Sequence, residues 1–139
     1  MARYRGKGTQ LWVETVPDTF EKVPQCFQGQ GGDASTPQVD VTDFDSEGKE
    51  FEAGETDYGA TSWQMYWDAA NSVQRFLEVA QELGTKFRAR TIFTQYTPNI
   101  QYEYEATVQS FTPDYGTNDT FQQVALVLKI SGAPVYSTL

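Results

Sequence analysis

Val73, Phe76, Leu77, Val79, Ala80 and Leu83 recur at helical spacing, and this is the one amphipathic helix the pattern supports. Asp68 or Ser72 can cap its start, and Gly84 suits a left-handed C-terminal cap. A stripe of about three turns covers one face of a sheet but does not make a core by itself. The core must therefore come from strands. Composition agrees: aromatic residues make up 14% of the 139-residue chain, against 39% hydrophobic in all, so Tyr, Phe and Trp carry much of the burial, and sheets suit them.

Ala60 to Trp67 alternates, with Trp63, Met65 and Trp67 on one face and Ser62, Gln64 and Tyr66 on the other, the period of a half-buried strand. After the helix, longer strands are expected over Lys86–Gln95, Gln101–Phe111 and Thr120–Ser131, joined by turn sequences around Thr97-Pro98-Asn99 and Thr112 to Asp119. Their core faces read as Phe87, Ala89, Thr91 and Phe93; Tyr102, Tyr104, Ala106 and Val108; and Val124, Leu126, Leu128 and Ile130. Earlier in the chain, Thr9–Val13, Phe20–Val23 and Val39–Thr42 read as short strands, Gln28–Pro37 as a glycine-rich loop, and Asp43–Tyr58 as a long exposed loop. The expectation is a mainly β chain, a β-sandwich or barrel flanked by one α-helix, forming one domain over 1–139. It carries an N-terminal arm at 1–8, a long acidic hairpin-type loop at 40–59 and an extended C-terminal arm at 132–139.

Charge divides this plan. Nineteen acidic and ten basic residues leave the chain at −9, and nine of the acids lie between Asp33 and Asp57 with Lys49 as the one base, so that segment carries −8. Six bases fall in two clusters, Arg3, Arg5 and Lys7, and Lys86, Arg88 and Arg90. Gripping duplex DNA through its phosphates needs a concentrated basic surface, which this balance argues against. No run of about 18 apolar residues occurs, and no signal-like stretch follows Met1, so synthesis in a cytosol and no membrane partner are expected.

Catalytic chemistry finds little purchase. With no histidine, Ser-His, Cys-His and His-metal arrangements are excluded, and Cys26 alone supports neither a disulfide nor a thiolate zinc site within one chain. Asp43, Asp45, Glu47 and Gly48 imitate the opening of a calcium loop, but its last ligand position falls on Gly54 and Lys49 intrudes, so a solvated loop is the reading. Gly6-Lys7-Gly8-Thr9 lacks the glycine-rich turn of a phosphate loop. Glu103 and Glu105 are same-face neighbours on a strand before they are a glycosidase pair. Trp63 and Trp67 read as core before they read as a sugar-stacking platform. Asn118-Asp119-Thr120 reads as a turn. No catalytic residue, cofactor or metal is expected.

The stretch Val39 to Phe51, Val-Asp-Val-Thr-Asp-Phe-Asp-Ser-Glu-Gly-Lys-Glu-Phe, followed by Asp57-Tyr58-Gly59, resembles the "DVTDFDS" segment of the major tail tube proteins of long, non-contractile phage tails. Gly8–Val13 and the tail resemble the same family, and the order of strand and helix after Ala60 matches it. The resemblance implies a sandwich with a flanking helix, hexameric rings stacked into a virion tail tube, and DNA passing without specific binding. It also implies tape-measure and tail tip or terminator partners. Another ring-forming tail or secretion-tube component is the alternative, and a carbohydrate-binding module a more distant one. Within this frame the expected contacts between subunits involve the acidic loop from Asp40 to Asp57, with Asp40, Asp43 and Asp45, meeting Arg3, Arg5 and Lys7, or Lys86, Arg88 and Arg90, of a neighbour. Phe44 and Phe51 are expected as apolar anchors. Glu103 and Glu105 are expected to face the channel, where fixed cations would hinder sliding DNA.

Overall fold

The computed structural model describes residues 2–138. Nine strands and one helix follow in the order β1 Thr9–Val16, β2 Thr19–Lys22, β3 Cys26–Gln30, β4 Gln38–Asp40, β5 Phe51–Ala53, β6 Ala60–Tyr66, α1 Ser72–Leu83, β7 Lys86–Phe93, β8 Ile100–Asp114 and β9 Gln123–Thr138. Seven strands form one antiparallel sheet in the order β2-β1-β7-β8-β9-β6-β3, and β4 and β5 form a separate ribbon. The edge strands β2 and β3 lie at opposite margins of the sheet, yet only Val23, Pro24 and Gln25 separate them in sequence. So short a link spans at most about 14 Å when extended. The sheet must curl until its two edges nearly meet, which makes it a half-barrel rather than a flat layer.

The inward face of this curl is the core. Leu11 and Val13 of β1, Trp63 and Met65 of β6, Phe87 and Ala89 of β7, Tyr104, Ala106 and Val108 of β8, and Val124, Leu126, Leu128 and Ile130 of β9 are buried together with Val73, Leu77 and Ala80 of the helix. Alternation selects each set, because successive strand side chains point to opposite faces. Tyr102 departs from the expected face pattern: it shares the inward parity but is 40% exposed, since the core stops at Tyr104 and its ring packs edge-on against Phe93 and Tyr136 beyond that limit. The buried Tyr104 hydroxyl is satisfied by Thr91 Oγ1 at 3.1 Å and Thr61 Oγ1 at 3.5 Å, and Trp63 Nε1 donates to the same Thr61 oxygen at 3.2 Å. Burial pushes the Tyr104 phenol above its ordinary pKa.

The helix is capped by Asn71 rather than by Asp68 or Ser72: Asn71 Oδ1 accepts from Val73 N at 3.0 Å and Gln74 N at 3.1 Å. Asp68 is engaged one turn earlier, its carboxylate accepting from Ala70 N. Gly84 ends the helix at φ 66°, a left-handed value that costs glycine nothing. The stripe is as expected except at its margins. Leu83 is exposed, and Gln74 is buried because its amide bridges Tyr66 O and Asp68 N, fastening the helix to the end of β6. Burying Leu77 and Val73 contributes on the order of 1.5–3 kcal/mol each.

Two segments differ from expectation. Cys26–Gln30, whose last three residues were expected as loop, is the strand β3, paired with β6. A Cβ at Gly29 would lie 2.6 Å from the Trp63 ring, so only glycine lets this edge close over the indole. The tail beyond 132 is extended, as an arm would be, but it is the second half of β9: after a wide bulge at Gly132–Pro134 opposite Tyr104, Val135–Thr138 pairs with Glu103–Ile100. Leu139 lies outside the described residues, as does Met1.

Candidate assembly surfaces

The acidic segment is not an irregular loop but the outer half of a long hairpin. β3 pairs with β6 up to Gln30 and Ser62, and Ser35 and Asp57 pair in the same register five residues further along each strand. Beyond one extra residue on the return strand, the β4–β5 ribbon continues as Gln38–Ala53, Val39–Glu52 and Asp40–Phe51, and Val41 N donates to Glu50 O. The tip is an Asx turn, with Asp43 Oδ1 accepting from Asp45 N at 2.9 Å and Ser46 Oγ at 3.1 Å. From Ser35 to Phe44 the ribbon reaches about 30 Å at the usual strand rise.

Both faces of this ribbon meet water. Val39 (52%), Val41 (39%), Phe51 (52%) and Phe44 (108%) are exposed, and none of the carboxylates between Asp40 and Glu55 forms an ion pair among the described residues. A two-stranded ribbon without a packed face is marginal by itself. Its base is held by Asp57, which takes Lys129 Nζ at 2.7 Å and Gly59 N at 2.9 Å. The lysine contact, first among the causes, holds the Asp57 carboxyl below its ordinary range. At Asp40, hydrogen bonds from Thr42 do the same.

The two basic clusters fare differently. Arg88 forms ion pairs with Glu14 and with Asp18, the latter at 2.9 Å, and lies 3.9 Å from Glu103; Arg90 Nε donates to Glu103 at 3.2 Å. The Arg90 guanidinium also sits 3.7 Å from the centroid of the Phe20 ring. Arg88 hydrogen bonding holds the Glu14 carboxyl below its ordinary range. These arginines are therefore satisfied inside their own subunit. Lys86, at the start of β7, is exposed and unpaired among the described residues. Arg3, Arg5 and Lys7 are exposed and form no ion pair there either, although the arm is tethered by Gln95 Nε2 donating to Arg5 O at 2.9 Å and by Tyr4 stacking on Tyr96.

Glu103 and Glu105 occupy the outward face of β8, opposite buried Tyr104 and Ala106. Glu105 is exposed, whereas Glu103 is half-buried against Arg90. Trp63 is 5% exposed and covered by β3, so it offers no stacking platform.

One surface escaped sequence reasoning. At the end of β6 away from the ribbon, Phe27, Tyr66 and Phe121 pack edge and face at 4.7 and 5.7 Å, and Trp67 meets Tyr115 at 5.6 Å. Phe27 (43%), Tyr66 (37%), Tyr115 (70%) and Phe121 (77%) remain open to solvent, and Gln25, Tyr66, Trp67, Thr120, Phe121 and Gln122 line a groove of about 590 Å³. Its members come from the β2–β3 link, the end of β6 and the β8–β9 turn, and no spacing rule links them in the sequence.

No protein-family model matches the chain, and no curated protein matches it in sequence. Its fold does find matches. A chain of the tail of an empty gene transfer agent particle, solved with C6 symmetry, matches 97% of this chain and 99% of its own length at TM-score 0.77 and 16% identity. A chain of the SPP1 tail tube matches 99% of this chain and 80% of its own at TM-score 0.74 and 12% identity. A chain of the PVC sheath/tube terminator of an extracellular contractile injection system matches 99% and 98% at TM-score 0.74 and 11% identity. At such identities the likeness is one of fold, and the half-barrel with its single helix is the fold of these tail and tube chains.

Proposed function

We propose that this chain is the repeating subunit of a phage tail tube, a structural virion protein whose copies close into hexameric rings that stack around a bore for DNA. The observation that carries this reading is the end-to-end likeness in fold to a chain of a six-fold symmetric tail, with neither molecule leaving a substantial part unmatched. The surfaces support it. An exposed ribbon with four apolar side chains in water is costly for a lone molecule and useful to one that is always covered by a neighbour. A ring is a head-to-tail contact closed by rotation, and stacking requires a second contact along the axis.

For that axial contact the acidic ribbon, with Asp40, Asp43 and Asp45, has Arg3, Arg5 and Lys7 of a neighbouring copy as its better electrostatic partner, because the arm's cations pair with no acid among the described residues. Arg88 and Arg90 already hold Glu14, Asp18 and Glu103, so breaking them open would cost what a new contact returned. Phe44 and Phe51 serve as apolar anchors. Glu103 and Glu105 line the bore in this reading, with Arg88 and Arg90 tied down by carboxylates, which leaves Lys86 as the one cation of β7 without an acidic partner among the described residues and so reduces what sliding phosphates can hold. Catalysis plays no part. A tape-measure protein, and tip or terminator proteins at the ends, complete the set of partners.

Electron microscopy of the purified protein, dilute and concentrated, with its mass in solution measured on the same sample, tests the proposal. Tubes of uniform bore are expected. Single rings that never stack would favour the second reading, a terminator-type component, which the likeness to the terminator structure at TM-score 0.74 supports. Monomers at every concentration, binding glycans on an array, would overturn both.

A further inference from the structure

We infer that the ribbon tip of one copy docks, through Phe44, into the aromatic groove of Tyr66, Trp67 and Phe121 on the next copy along the tube axis. This names the residues of the axial contact and rests on the tube reading. Phe44 is wholly exposed at the end of a ribbon of about 30 Å, and no other side chain of the turn is apolar. The groove lies at the far end of the same hairpin: β6 runs from Ala60 at the ribbon's base to Tyr66 at the groove's wall. Copies displaced along that direction bring tip and groove together, and because the two surfaces differ, the contact repeats without limit.

Chemistry fits the pair. The groove carries no charged side chain; around its rings stand Gln25, Thr120 and Gln122. An inserted ring gains edge-to-face partners, and a side-chain amide of Gln25 or Gln122, neither engaged within the chain among the described residues, can donate to the Asp45 carboxylate beside Phe44. The second copy is favoured over an unrelated apolar partner because this chain itself supplies a projecting ring that nothing in its own subunit covers.

The test uses the full chain with Cys26→Ala, so that no native thiol competes. One preparation carries Asp45→Cys beside the Phe44 ring and another Gln122→Cys at the groove rim, both at exposed positions that leave the docking rings in place, and the two are mixed, assembled and oxidised. Disulfide-linked dimers formed only in the mixture, on tubes seen by microscopy, are the expected result. Tubes without cross-links, or Asp45→Cys linking to itself as readily as to Gln122→Cys, would overturn the docking while leaving the tube reading intact. Absence of any assembly in the Cys26→Ala parent and the unsubstituted protein would remove the tube reading and this contact with it. As a second measurement, Phe44→Asp is expected to lower tube mass at fixed concentration about tenfold with an unchanged circular dichroism spectrum, and Phe44→Tyr to restore it. Equal tube mass for Phe44→Asp would also refute the contact.

Discussion

The molecule contains two long hairpins that share an antiparallel pairing pattern and little else. In β8–β9 the strands lie mid-sheet, and Val124, Leu126, Leu128 and Ile130 stand beside Tyr104, Ala106 and Val108 on the inward face that closes over the core. In the hairpin from Cys26 to Tyr66 only the inner half belongs to the sheet; the outer half, from Ser35 to Asp57, has Val39, Val41, Phe44 and Phe51 in water. Strand pairing alone therefore does not say what holds a hairpin. The inner one is stabilised by what it buries within its own chain, whereas the outer one leaves its apolar side chains uncovered, where a neighbouring copy would cover them in the proposed tube.

The largest effect expected from this difference is at Leu126, which is 0% exposed. Leu126→Ala should destabilise the monomer by about 2–5 kcal/mol, the range for emptying a well-packed leucine site. Urea denaturation below the assembly concentration measures it, and a cost under about 1 kcal/mol would mean that the inward ridge is not the centre of the core. A smaller effect attaches to the helix that roofs this region. Asn71→Ala leaves the amides of Val73 and Gln74 without their shared acceptor and should cost about 1 kcal/mol in the same assay.

The outward face of the same sheet gives a pH-dependent contrast. Arg88 holds Glu14 below the ordinary carboxyl value of 4.5, so the folded state keeps Glu14 ionised more readily than the unfolded chain does. That contribution is complete above the unfolded value and disappears as pH falls through the lowered folded one. The stability gap between the wild type and Glu14→Gln is therefore expected to be widest near neutrality and to close on acidification below 4.5. A gap that stays constant with pH would assign Glu14 a packing role instead.

How much of this was legible beforehand follows from how locally each feature is encoded. Alternation at Trp63 and Met65, the Val124-to-Ile130 ridge and Gly84 are all decided within a few residues, and each was readable. Gln28-Gly29-Gln30 has no apolar period, and its strand exists because β6 supplies a partner and Trp63 excludes any side chain larger than glycine. Gly132 and Pro134 read as an ending, but they fill a bulge after which pairing resumes. Arg88 looked available for docking because Glu14 and Asp18 stand 74 and 70 residues away. The aromatic groove was invisible for the same reason: Tyr66, Trp67 and Phe121 are ordinary residues until the sheet curls.

The smallest effect on stability is the one that most sharpens the comparison. Val39→Ser and Phe51→Ser remove apolar surface from opposite faces of the ribbon, and Val39 pairs across to Glu52 while Phe51 pairs across to Asp40. In β8–β9 such changes would open the core. Here the side chains are about half exposed and rest on no core residue, so each should alter monomer stability by less than about 0.5 kcal/mol in urea denaturation. The same proteins, concentrated and viewed by microscopy, should form fewer and shorter tubes, because the lost contacts belong to the assembled state. A monomer destabilised by 2 kcal/mol or more would show that the ribbon folds back onto its own subunit, and the division between a self-stabilised and a partner-stabilised hairpin would fail.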